Sequence, residues 1–120
     1  MSAKSKEIVE KVNAAFAEND LEGFLAFCAE EVRWTMVGEK TVDGKEAIRQ
    51  WLASMDIEPP EFTVVALIAE GDLVAAHGDM IMKDEDGKTV PYSYCDFYRF
   101  RGDKIVELRS FVIKTEAVDG

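Results

Sequence analysis

Apolar residues recur at two spacings along this chain, and the change from one to the other divides it. Over residues 4–18, Ile8, Val12, Ala15 and Phe16 fall on one stripe at helical spacing, which predicts a helix. "END" at 18–20 interrupts it. Asp20 can cap a second helix over 21–31, with Leu21, Phe24, Leu25 and Cys28 inward. "VRWTMV", 32–37, reads as a short strand. "VDGKEAIRQWLASM" then opens a third helix. Asp43 and Glu46 have capping-box spacing there, and the stripe is Ile48, Trp51, Leu52 and Met55. Pro59-Pro60 ends the region, because proline and the residue before it both leave helical geometry.

Beyond the prolines the period becomes two. Strands are predicted over 62–69, 73–82, 89–101 and 104–115, separated by "EGD", "KDEDGK" and "RGDK". Three helices followed by an antiparallel meander predict an α+β fold, with helices on one face of a curved sheet. No repeat or linker interrupts residues 1–120, so a single domain is expected.

The third of these strands poses the chemical question. In "YSYCDFYRF", 92–100, Tyr92, Tyr94, Tyr98 and Phe100 share one parity, and Asp96 sits in their midst. An aromatic concavity with a few convergent polar groups is the usual makeup of a small-molecule pocket. A carboxyl group there is poorly solvated, its pKa rises, and it can donate a hydrogen bond or act as a base near neutral pH. A second reading stands beside this one. If Gly102-Asp103 makes a two-residue turn with regular pairing, Asp96 faces Arg109 in a cross-strand ion pair. A bulge near the turn moves Leu108 or Ser110 opposite instead and leaves Asp96 for a ligand. His77 shares parity with Asp79, against the apolar parity of Val74, Ala76, Met80 and Met82. It is either a half-exposed histidine or a second proton carrier. Trp34 and Trp51 read as core residues, Trp34 also as a candidate pocket wall, and Met55, Met80 and Met82 as gap-fillers or pliable lining.

Composition removes other chemistries. Net charge is −10, with no basic block, so neither nucleic acid nor an anionic membrane surface is an expected partner. No apolar run has the length of a membrane span, and "MSAKSKEIVE" lacks the apolar stretch of a signal peptide. Cys28 and Cys95 are expected as free thiols of a cytoplasmic protein. With one histidine and no cluster at ligand spacing, no metal is expected. "DEDGK" resembles the start of a calcium loop, but the twelfth position counted from Asp84 is Cys95, so a solvated hairpin is the better reading. No cofactor-binding motif is present.

Three segments in order, "VNAAFAENDLEGFLAFCAEEVRW", "VDGKEAIRQWL" and "YCDFYRFRGDKIVELRSFV", resemble the nuclear transport factor 2-like superfamily, close to its SnoaL-like and ketosteroid-isomerase-like members. The resemblance covers nearly the whole chain. It implies a cone-shaped barrel, with helices closing the concave face of a strongly bent antiparallel sheet over a cavity, and a homodimer built through the sheet. Relatives include isomerases, polyketide cyclases, epoxide hydrolases and dehydratases, so cofactor-independent acid–base chemistry is implied. Asp96 matches the protonated acid of the steroid isomerases. Their base falls near Thr35 or Met36 and their helix-one tyrosine near Val12. Where the limonene-type epoxide hydrolases place an arginine, this chain has Tyr94. The acid of many cyclase-like members falls near Ile113. The expected set is therefore Asp96, His77, Tyr94 and Arg109 for chemistry. Trp34, Met36, Trp51, Met55, Tyr92 and Tyr98 are expected to line a pocket for a hydrophobic or weakly polar molecule.

Overall fold

The computed structural model of the chain describes residues 2–54, 61–83 and 86–115. Met55, Pro59, Pro60 and Asp84 lie outside the described residues. The elements run α1 (Ser2–Ala17), α2 (Leu21–Leu25), β1 (Cys28–Met36), β2 (Lys40–Asp43), α3 (Lys45–Ala53), β3 (Glu61–Glu70), β4 (Leu73–Lys83), β5 (Thr89–Arg101) and β6 (Lys104–Lys114). The α+β class and the three helices agree with the sequence reading. No helix among the described residues is long and apolar enough to cross a membrane.

Asp20 caps α2 as expected, its side chain accepting from the Gly23 N–H at 3.0 Å. The helix is shorter than predicted, because the backbone beyond it is drawn into the sheet. Ile105 donates to the Phe27 carbonyl at 2.8 Å, the strand begins at Cys28, and burial alternates from Glu31 to Trp34. Strand β2 was not anticipated: only Val42 of its four residues is buried, so it shows no alternation. Asp43 does not cap α3. Its carboxylate accepts from Arg33 Nε at 2.6 Å across the β1–β2 hairpin, and the helix instead starts from Gly44 at φ +95°, without a side-chain cap.

The six strands form one sheet in the order β2-β1-β6-β5-β4-β3. It is open, with β2 and β3 at its edges, and mixed rather than all antiparallel, since β1 pairs with β6 in parallel. α1 lies against β3 and β4, and α3 against β1 and β2. Ile8, Val9 and Val12 of α1, Phe24 and Leu25 of α2 and Ile48 of α3 form one core with Val32, Trp34, Val74, Tyr98, Ile105 and Leu108 of the sheet. Removing such side chains from water is the main favourable term in folding.

Bulges interrupt two of the antiparallel ladders, and the parallel β1–β6 pairing also shifts register between Cys28 and Arg33. On β6, Phe100 faces Ile105 but Arg99 faces Glu107, so Val106 is the extra residue. On β3, Val64 faces Gly78 but Ala66 faces His77, so Val65 is extra. A Cβ on Gly78 would collide with the Thr63 carbonyl oxygen, so glycine is what lets β3 pass this close to β4.

Candidate functional site

The inner parity of β5 carries Tyr92, Tyr94, Asp96, Tyr98 and Phe100, and none of these is exposed. The β6 bulge decides what faces Asp96. Its neighbours in the ladder are Ala76 on β4 and Ser110 on β6, two of the smallest side chains on that face. The carboxyl group is therefore half-buried, crowded by the sheet yet not roofed by a large cross-strand partner.

Burial raises the Asp96 pKa to about 6, and a hydrogen bond from the Ser110 hydroxyl pulls in the opposite direction. No charged residue contributes to the shift. Ser110 is itself buried, and its oxygen accepts from Trp34 Nε1 at 2.9 Å. On either side of Asp96, the Tyr94 and Tyr98 hydroxyls are buried without a hydrogen-bond partner among the described residues. Burial, and then the nearby Asp96, push Tyr94 up to about 12 and Tyr98 well above its ordinary value, so both remain protonated phenols.

The predicted catalytic set divides across the sheet. Asp96 and Tyr94 share the inner face. Arg109 is opposite Phe97, exposed on the outer face, with its guanidinium 5.8 Å from the Phe111 ring centre. The cross-strand ion pair with Asp96 is thus replaced by the bulged register, with Ser110 opposite. His77 is opposite Cys95, also outward and exposed, so it cannot share a proton with Asp96. Of the expected lining, Tyr98 is wholly buried and Trp34 only 9% exposed. Both belong to the core. Trp51 packs edge-on against Trp34 at 5.4 Å, with Lys40 Nζ 5.4 Å from its ring centre. Met36, Trp51 and Tyr92 are half-buried, and Met55 lies outside the described residues.

Ser110 is the residue that sequence reasoning underweighted. It appeared only as one of two occupants of the bulged register. Two surface depressions lie elsewhere: about 280 Å³ between Leu73, Phe97, Arg99, Glu107, Arg109 and Phe111, and about 400 Å³ between α1 and the β3 bulge. Neither includes Asp96. Among the described residues no three His, Cys, Asp or Glu side chains are placed to hold a metal ion.

A family model for the SnoaL-like domain matches residues 9–108. No match was found among curated protein sequences. Several solved structures share the fold. An NTF2-like protein of unknown function from Burkholderia pseudomallei superposes with a TM-score of 0.84 at 21% identity, covering 92% of this chain and 90% of that one. A protein from Xanthomonas campestris, provisionally assigned as a polyketide cyclase, gives 0.82 at 21% identity, with 92% and 90% covered. An LEH-like epoxide hydrolase from M. tuberculosis gives 0.81 at 15% identity, with 92% and 84% covered.

Proposed function

The chain belongs to the SnoaL-like domain family, and from that footing we propose that it handles a hydrophobic or weakly polar small molecule at the inner face of the sheet, where Asp96 meets the ligand's polar atom. One observation carries this reading. A carboxyl group sits between Ala76 and Ser110, half-buried, with its pKa pushed up to about 6. Such a group changes protonation near neutral pH, so it can donate to an oxygen or accept a proton without a cofactor. Isomerisation, cyclisation and dehydration are the reaction classes that need only this. The fold shared with a provisional polyketide cyclase fits the same range.

A second reading, binding without turnover, is favoured by where His77 and Arg109 stand. Both face outward, which leaves Asp96 without either expected partner. A homodimer through the outer face fits its exposed Ile68, Phe97 and Ile113. A cytoplasmic setting fits the free thiols Cys28 and Cys95.

The test is a thermal-shift screen of lactones, enones and steroids on the wild-type chain and Asp96→Asn, followed by product analysis of each hit. Hits that depend on Asp96 are expected. Equal shifts in both proteins would remove Asp96 from ligand handling, and Asp96-dependent hits without products would select the binding reading.

A further inference from the structure

We propose that Trp34 and Ser110 are positioning residues for Asp96: the indole N–H fixes the Ser110 hydroxyl, and that hydroxyl fixes which carboxyl oxygen of Asp96 stays free for a guest. The proposal rests on the reading of Asp96 given above, but it concerns residues that reading leaves without a task.

The direction of the chain of hydrogen bonds follows from the donor inventory. Indole nitrogen can only donate, so in the 2.9 Å contact of Trp34 Nε1 with Ser110 Oγ the serine is the acceptor. The one hydroxyl hydrogen of Ser110 is then left to donate, and the register points it to Asp96, directly across the β5–β6 ladder. The sequence Trp34 to Ser110 to Asp96 therefore runs one way. In this assignment one carboxyl oxygen accepts from serine, which leaves the other for a guest at the inner face. Successive bonds of one direction polarise each other, so the far donor also acts on the carboxylate.

Among the described residues nothing charged competes at this place. From β5 the neighbours are the partnerless phenols Tyr94 and Tyr98, and from β4 the methyl of Ala76. From β1 they are Trp34 and Met36, paired with Leu108 and Ser110. The helices bring Ile8, Val9, Val12, Phe24 and Ile48 to the core, together with Trp51. The buried thiol of Cys28, pushed up to about 12, stays neutral. Lys40 is engaged over the Trp51 ring, and Lys114 is exposed at the far end of β6, opposite Tyr92. The register that makes the relay exists only because Val106 bulges.

The test needs no ligand. The Asp96 carboxyl is titrated by carbon NMR in the wild-type chain, Ser110→Ala, Ser110→Thr and Trp34→Phe. Loss of the serine donor should raise the midpoint by about one pH unit, a roughly tenfold gain in proton affinity, since a hydrogen bond to a charged group is lost. Threonine should restore the midpoint, and Trp34→Phe should raise it by less than alanine does. In Trp51→Phe, where Trp34 is the remaining tryptophan, indole emission should titrate with the Asp96 midpoint and stop doing so when Asp96→Asn is added. This second readout stands even if an alanine variant fails to fold. An unchanged midpoint in Ser110→Ala, or Trp34 emission indifferent to the state of Asp96, would overturn the relay. If the relay holds but no ligand response depends on Asp96, the proposed function fails and the positioning role remains. The opposite pair of results removes the positioning role alone.

Discussion

Ionising Asp96 in the folded chain costs free energy that ionising it in the unfolded chain does not, because the carboxylate leaves water for a crowded inner face. Its pKa is raised from 3.8 to about 6. A raised folded pKa means that the folded chain binds this proton more tightly. The stabilisation is present in full below about pH 4 and is lost as pH rises through about 6. The shift corresponds to about 3 kcal/mol, reduced by whatever water reaches the half-buried group. Asp96→Asn keeps the shape without the charge. It should match the wild type in urea unfolding at pH 4 and exceed it at pH 8, by up to about 3 kcal/mol. A variant less stable than wild type at pH 8 would show that the carboxylate is better solvated than its position indicates. Tyr98 supplies a second residue-scale prediction. Its hydroxyl is buried with no partner among the described residues, so Tyr98→Phe removes a polar group that gains nothing from folding. Unfolding should show no loss, and up to about 1 kcal/mol of gain. A loss of 2 kcal/mol or more would reveal a hydrogen bond to water or ligand.

At the scale of the element, the β6 bulge separates what could be read from sequence from what could not. The tight turn was legible. Gly102 takes φ +64°, and Arg101 and Phe100 face Lys104 and Ile105 as regular counting requires. Continued without a break, that counting puts Glu107 and Arg109 on the same side as buried Phe100 and Ile105. Two charges in a core cost far more than one unpaired backbone residue. The sequence therefore carried the signal for a bulge, though not for which strand would hold it. Helix α3 shows the converse. Asp43 and Glu46 have the spacing of a capping box, but Arg33 across the hairpin competes for the carboxylate of Asp43 and holds it. Local spacing cannot see a partner contributed by another strand. The β3 bulge gives this scale its prediction. Gly78→Ala sets a methyl against the Thr63 carbonyl, which is backbone and cannot step aside without opening the β3–β4 ladder. The variant should lose about 3 kcal/mol of unfolding free energy, the upper part of the range for overpacking. Amide exchange should rise first along β3. Wild-type stability would mean that the strand crosses less closely.

For the whole molecule, the class and the helical layer were legible because each helix carries its own apolar stripe. The parallel pairing of β1 with β6 was not, since it joins residues 74 to 77 positions apart and leaves no local mark. The two-faced sheet that results has a consequence for assembly. Helices pack on its inner face, whereas Ile68 and Ile113 on the outer face are 62% and 65% exposed, with Phe97 at 40% between them. A second copy is the proposed cover. Association would then be driven by apolar burial and opposed by repulsion between two chains of net charge −10 each. Salt screens the repulsion and leaves the apolar term, so sedimentation should show the dimer tightening between low salt and about 0.5 M. Weakening with salt would mean instead that charged pairs such as those offered by Arg99, Arg109 and Glu107 hold the copies together. Phe97→Glu with Ile113→Glu should yield a monomer. Because both side chains point away from Asp96, its carboxyl should titrate at the same midpoint in monomer and dimer. A midpoint that moves with association would tie the inner face to the outer one, and the two faces of this sheet could no longer be treated as independent.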